Sequence, residues 1–245
     1  VNHPSPAGDP AYIGVDVGGT HTDVQVNCGA LVARGKALTT YDDFSRGVID
    51  AIGVAAATMG LSARALLERT RLIVNGTTVV TNVVTMMRGA KVGVLLTAGF
   101  RDTFRINGGP RKPIVDDHLQ LNVPDIVERR AIVEIAERID YRGHVVRPLD
   151  RKEVARAARR LIEEQGCETI AICFLHSYRN PAHEEEAARI VADIAPGAFV
   201  TLSHAATGTM GETRRWTTAV LNAFVQPPTA NFLKSLRRRL ADEGL

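Results

Sequence analysis

Apolar residues gather first in three short runs, at 12–17, 22–27 and 31–38, and each reads as a strand. Gly18, Gly19 and Thr20 turn the first run into the second, and the third completes an antiparallel meander. The period then changes. Phe44, Val48, Ile49, Ile52 and Ala56 recur at helical spacing and predict a helix that covers the sheet. Residues 71–74 and 91–97 read as strands on either side of a helix at 79–87, while Gly108, Gly109, Pro110 and Pro113 make 107–122 irregular. A hairpin over 134–146 turns at Arg142-Gly143, Asp150 stands before a helix over 154–165, and 169–175 is a buried strand. Pro181 opens a further helix with glutamates in its first turn, 199–202 is a strand, and the last helices fall at 210–225 and 231–240. Strands alternating with helices after a meander give an α/β protein without internal repeats.

Composition narrows the function classes. A chain of 245 residues with 45% hydrophobic content buries a sizeable core. Its 23% charged residues are mixed in sign and leave a net charge of +3, which argues against nucleic-acid and membrane-surface partners. No apolar run approaches the roughly 20 residues of a membrane span, and the start at Val1 has no signal-peptide pattern, so a cytoplasmic protein is expected. Val1 in place of methionine fits a processed product, an alternative start codon or a shortened chain, and the terminal helical run leaves room for a longer parent. Cys28, Cys167 and Cys173 have neither the number nor the spacing of a disulfide framework or a zinc site and read as buried free thiols.

Chemistry concentrates in Gly14-Val15-Asp16-Val17-Gly18-Gly19-Thr20-His21-Thr22-Asp23. A strand delivers Asp16 to a tight turn, where Gly18 and Gly19 let backbone N–H groups approach an anion, and the hydroxyls of Thr20 and Thr22 add donors. A carboxylate repels phosphate, so the role that suits Asp16 is holding Mg²⁺ through water beside the phosphates. Asp16 and Asp23 are the candidate catalytic carboxylates. A dinucleotide fingerprint is excluded because these glycines join strand to strand. A P-loop at 29–36 fails on spacing and on Ala37 in place of a hydroxyl. The plain alternative is an ordinary Gly-Gly hairpin.

The run Asp-x-Gly-Gly-Thr-x-Thr-Asp resembles the first phosphate motif of the actin-like ATPase superfamily, and the whole chain resembles the N-terminal region of the hydantoinase A and 5-oxoprolinase family. The landmarks are Asn75-Gly76-Thr77-Thr78 with Thr81-Asn82, Thr97-x-Gly99-Phe100-Arg101-Asp102, Leu175-His176-Ser177-Tyr178-x-Asn180-Pro181-x-His183-Glu184, and Thr217-Thr218-x-Val220-Leu221-Asn222-Ala223-Phe224-Val225. The resemblance implies an actin-like (ribonuclease H-like) α/β ATPase lobe with a mixed sheet after a tail at 1–10, with residues near 75–200 left open as a small separate α/β subdomain. It implies ATP and Mg²⁺ as cofactors, and phosphorylation of a cyclic amide before its hydrolysis. In a related branch the phosphorylated group is a ketone enolate that is then carboxylated. The partners it implies are a second ATPase lobe, a hydantoinase B-like subunit and further copies in an oligomer. The family usually has histidine where Asn75 stands and phenylalanine where His21 stands, and it continues into a second phosphate motif not present in this sequence. The segment 105–112 also departs from the family pattern, which puts the substrate in question and makes Arg105 and Arg111, with Asn82, candidate substrate residues.

The remaining candidates carry less. Asn75, Gly76, Thr77 and Thr78 precede a helix, where they either meet an anion or simply cap the N-terminus. His176 and His183 have no metal-ligand spacing and read as loop-fixing residues; Trp216 reads as a core or subunit contact, and Arg237 to Arg239 as a solvated helix end. A function of another class, a nucleotide-regulated binding module, also fits such a lobe.

Overall fold

A computed structural model of the protein describes residues 9–106 and 126–245. It falls into two compact units. One takes in the chain up to Arg88 together with Pro228–Leu245, and the other is Gly89–Pro227.

In the first unit, β1 (Ala11–Val17), β2 (His21–Cys28) and β3 (Leu31–Leu38) form the expected meander, followed by α1 (Phe44–Thr58), α2 (Ala63–Leu67), β4 (Thr70–Thr77) and α3 (Val79–Thr85). The sheet order is β3-β2-β1-β4, with β4 parallel to β1 and the other pairs antiparallel. Period-two alternation puts Ile13, Val15, Val17, Val24 and Val26 on the buried face. There α1 lies close: a Cβ on Gly35 would fall 1.9 Å from the Ala51 carbonyl oxygen. The other face carries Tyr12, Asp16, Asp23, Lys36 and Val74 in the open. The strand expected at 71–74 runs on to Thr77, because the parallel pairing continues through Val15↔Asn75, Asp16↔Gly76 and Val17↔Thr77.

In the second unit, β5 (Val92–Thr97), α4 (Thr103–Ile106), β6 (Ile132–Ile135), β7 (Arg138–Ile139), β8 (Val145–Arg147), α5 (Arg151–Arg159), β9 (Thr169–Cys173), α6 (Ala182–Ile194), β10 (Phe199–Leu202) and α7 (Ser203–Ala206) lead into α8 (Glu212–Asp242). Strands β10-β9-β5-β6 form a parallel sheet. Its core joins Leu95, Ile170 and Ile172 to Val154, Leu161, Ile190 and Val191 of the covering helices. The expected hairpin shrinks to β7 and β8, since Glu134 and Ile135 pair in parallel with β5 instead.

The two helices expected at 210–225 and 231–240 are one, α8, which passes through Pro227 and Pro228. Pro228 has no N–H for the carbonyl four residues earlier. That carbonyl, on Phe224, accepts instead from the Ala90 N–H at 2.9 Å. The irregular segment at 107–122 and Arg111 lie outside the described residues, as does the side chain of Arg105. Among the described residues, no helix is long and apolar enough to cross a membrane.

Candidate phosphate and cation site

The β1–β2 turn is anchored to the residues after β3 through its carbonyls. Gly18 N–H donates to the His21 carbonyl at 3.0 Å and closes a two-residue loop of Gly19 and Thr20. The Gly18 carbonyl accepts from Thr39 Oγ1 at 3.0 Å, the Thr20 carbonyl from Thr39 N–H at 3.0 Å, and the Gly19 carbonyl from the Tyr41 hydroxyl. With all three carbonyls turned into the protein, the N–H groups of Gly19 and Thr20 make no hydrogen bond among the described residues. Free, adjacent backbone donors in a turn are able to bind an anion.

Close packing calls for glycine at position 18 but not at 19. Neither Gly18 nor Gly19 has positive φ. A Cβ on Gly18 would stand 2.9 Å from the His21 carbonyl oxygen, whereas one on Gly19 would meet Asn82 Oδ1 at an ordinary 3.5 Å. Asn82 itself donates to Thr78 Oγ1 at 3.4 Å, and Thr78 ties the end of β1 through its N–H and hydroxyl to the Val17 carbonyl at 2.9 and 3.0 Å.

The expected threonine donors differ in what engages them. Thr22 is fully buried, and its hydroxyl lies 3.4 Å from that of Thr39, so it supports the residue that holds the loop. Thr77 Oγ1 accepts from Val79 N–H at 3.1 Å and keeps its own hydrogen to donate, while α3 behind it has only seven residues and little dipole to offer an anion. Thr20 stays exposed, its hydroxyl 3.1 Å from His21 Nδ1. Asn75 faces the covered side opposite Val15, with its Oδ1 buried and unpartnered among the described residues.

Asp16 stands on the open face with no partner among the described residues. Its register neighbours are Asp23 on β2 and Gly76 on β4. A hollow of 690 Å³ lined by Gly14, Asp16, Asp23, Arg34, Lys36 and Gly76, among others, spreads from it. Asp23 is engaged: Lys36 Nζ reaches its two carboxylate oxygens at 2.6 and 2.8 Å. No group of three or more His, Cys, Asp or Glu side chains among the described residues is placed to enclose a metal. One unpaired carboxylate beside side-chain-free Gly14 and Gly76 suits a hydrated Mg²⁺, which keeps most of its waters and takes one or two carboxylates.

Two histidines of the second unit, His183 and His204, pair with buried glutamates. His183 Nδ1 lies 2.7 Å from Glu137 Oε2, and Glu137 also accepts from the Thr97 hydroxyl. His204 Nδ1 lies 2.6 Å from Glu184 Oε2, while Glu184 Oε1 accepts from Phe174 N–H at 2.9 Å. Fully buried Arg215 donates to Ser203 Oγ and to the Phe174 carbonyl. Together these bonds fix the segments after β5 and β9. Trp216 is fully buried against Phe100, with ring centroids 5.9 Å apart. Burial pushes the Cys167 and Cys173 thiols up, as inert buried cysteines require.

The chain has relatives among known proteins. The sequence model of the hydantoinase/oxoprolinase N-terminal region matches residues 12–195. The acetophenone carboxylase gamma subunit of Aromatoleum aromaticum is 32% identical, aligned over 95% of this chain and 33% of its own length. The nucleotide-free structure of acetone carboxylase superposes with a TM-score of 0.82 at 27% identity, covering 96% of this chain and 35% of its own. The ATP-dependent caprolactamase from Pseudomonas jessenii superposes with 0.81 at 29% identity, covering 95% and 34%. The chain thus spans about a third of the length of the relatives it matches.

Proposed function

The chain belongs to the hydantoinase/oxoprolinase N-terminal region family, and we propose that it is the phosphate-gripping part of an ATP-dependent enzyme that activates a cyclic amide for hydrolysis. The carrying observation is the β1–β2 turn, with its carbonyls anchored by Thr39 and Tyr41 and the Gly19 and Thr20 amides free. In this reading those two N–H groups, with the Thr20 hydroxyl, hold phosphate oxygens of ATP, and Asp16 orients a hydrated Mg²⁺ beside them. When bound, the metal neutralises charge developing on the transferred phosphoryl group. Phosphorylation of the amide oxygen turns a poor electrophile into one that water attacks. Asn82, packed beside Gly19, sets the position of the turn.

A second reading, phosphorylation of a ketone enolate before carboxylation, is favoured by the likeness to acetone and acetophenone carboxylase; it uses the same residues of this chain in the same roles. In both, a second ATPase lobe, a hydantoinase B-like subunit and an oligomeric assembly complete the enzyme, consistent with relatives named as subunits. The test is phosphate release by the assembled enzyme with panels of lactams and of ketones. Stimulation by a lactam, abolished in Asp16→Asn, supports the first reading, and stimulation by ketones alone supports the second. ATP-independent behaviour with every substrate would leave a nucleotide-regulated binding module.

A further inference from the structure

Across the open face of the first unit's sheet, strand register lines up Lys36, Asp23, Asp16 and Gly76 in one row, on β3, β2, β1 and β4. The charges along it run positive, negative, negative, none. Directly opposed side chains on neighbouring antiparallel strands have Cβ atoms about 4.5–5.5 Å apart, and like charges in that relation repel. Lys36 resolves the conflict asymmetrically. Its ammonium binds both oxygens of Asp23, at 2.6 and 2.8 Å, and leaves Asp16 without a partner among the described residues. From β4, Gly76 contributes no side chain that could compete for Asp16.

We infer that Lys36 is a positioning residue of the cation site: it withholds Asp23 from the metal, so that Asp16 alone meets a hydrated divalent cation. The role of Lys36 rests on Asp16 as the magnesium carboxylate of the proposed function and deepens it. One carboxylate holds Mg²⁺ loosely enough for the ion to arrive and leave with the nucleotide. Two facing carboxylates, both free, would hold the same cation directly and keep it.

An ordinary surface ion pair differs from this one in the effect of its loss. Both side chains are about half exposed, at 57% and 54%, so breaking such a pair normally changes little. Here its loss doubles the negative charge facing the cation. Lys36→Met should therefore tighten cation binding, a gain that damage to the fold would not produce. Arg34, diagonal to Asp23 and unpartnered among the described residues, is placed to substitute, so the variant is also made with Arg34→Gln.

The experiment titrates Mn²⁺ into the chain without nucleotide and follows free Mn²⁺ by electron paramagnetic resonance. Expected is weak binding in the wild type and in Lys36→Arg, and binding tighter by about tenfold or more in Lys36→Met/Arg34→Gln, since an added charge a few ångströms away acts strongly on a divalent ion. Adding Asp23→Asn to that variant should return the wild-type affinity. Affinity within about twofold of wild type in Lys36→Met/Arg34→Gln overturns the role of Lys36 and leaves the reading of Asp16 standing. Tightened binding that persists when Asp16→Asn is added overturns the assignment of Asp16 itself, and the inference with it.

Discussion

Gly18 and Gly19 are neighbours in one turn, yet they meet different demands. A Cβ on Gly18 meets the His21 carbonyl oxygen at 2.9 Å, a backbone atom that cannot step aside without opening the hairpin. Gly18→Ala is expected to cost about 1–3 kcal/mol, read as a lowered melting temperature. Gly19→Ala meets only Asn82 Oδ1 at 3.5 Å and should melt as the wild type does. Gly19→Val should also fold but lose nucleotide affinity, because its branched side chain crowds the free amides; unchanged Mg-ATP affinity would count against the turn as the phosphate grip. At this scale the sequence shows Asp16 and the two glycines, since residue type and order suffice to mark them. The inward turn of Thr22 follows from the period-two alternation it shares with Val24, Val26 and Cys28 and was there to be read. The parts played by Thr39, Tyr41 and Lys36 depend on pairing between strands, which spacing along one strand does not reveal.

Among the elements, α1 begins with a charged clasp. Asp43 caps it, accepting from Ser45 N–H at 3.1 Å, and also accepts from Arg239 Nη2 of α8 at 2.8 Å. Burial pushes the Asp43 carboxyl up, but the hydrogen bonds from Ser45 and Arg239, with the Arg239 charge, outweigh it and hold the group at about 2 instead of 3.8. A depressed carboxylate stabilises the fold above its unfolded value and loses that contribution as pH falls. The clasp is therefore intact above about pH 4 and fades between 3.8 and about 2. Asp43→Asn keeps a capping side chain but removes the charge that faces Arg239, so it should cost about 1 kcal/mol at neutral pH and flatten the acid limb of the stability curve over that window; an unchanged acid limb would show that the clasp is not the titrating element. Element legibility failed where a distant partner intervened. Pro227 and Pro228 announce a helix end to anyone reading along the chain, yet the Phe224 carbonyl finds the Ala90 N–H, and α8 continues. Likewise β4 outlasts its apolar run because β1 keeps pairing with it through Thr77.

For the molecule as a whole, the α/β class and the order of elements follow from periodicity, and membership of the hydantoinase/oxoprolinase N-terminal region family follows from landmarks spread over most of the chain. The first unit brings the β1–β2 turn, Asp16 and the Asp23–Lys36 pair onto one sheet, while the second spends His183, His204 and the buried carboxylates of Glu137 and Glu184 on its own packing. Central to the proposed function is that the β1–β2 turn and Asp16 together hold a magnesium nucleotide. Isothermal titration of Mg-ATP into the chain tests it directly. Expected is binding that disappears when EDTA removes the metal and that weakens by about tenfold or more in Asp16→Asn, a loss of roughly 1.4 kcal/mol or greater. Equal affinity in the wild type and Asp16→Asn, with or without EDTA, would contradict it.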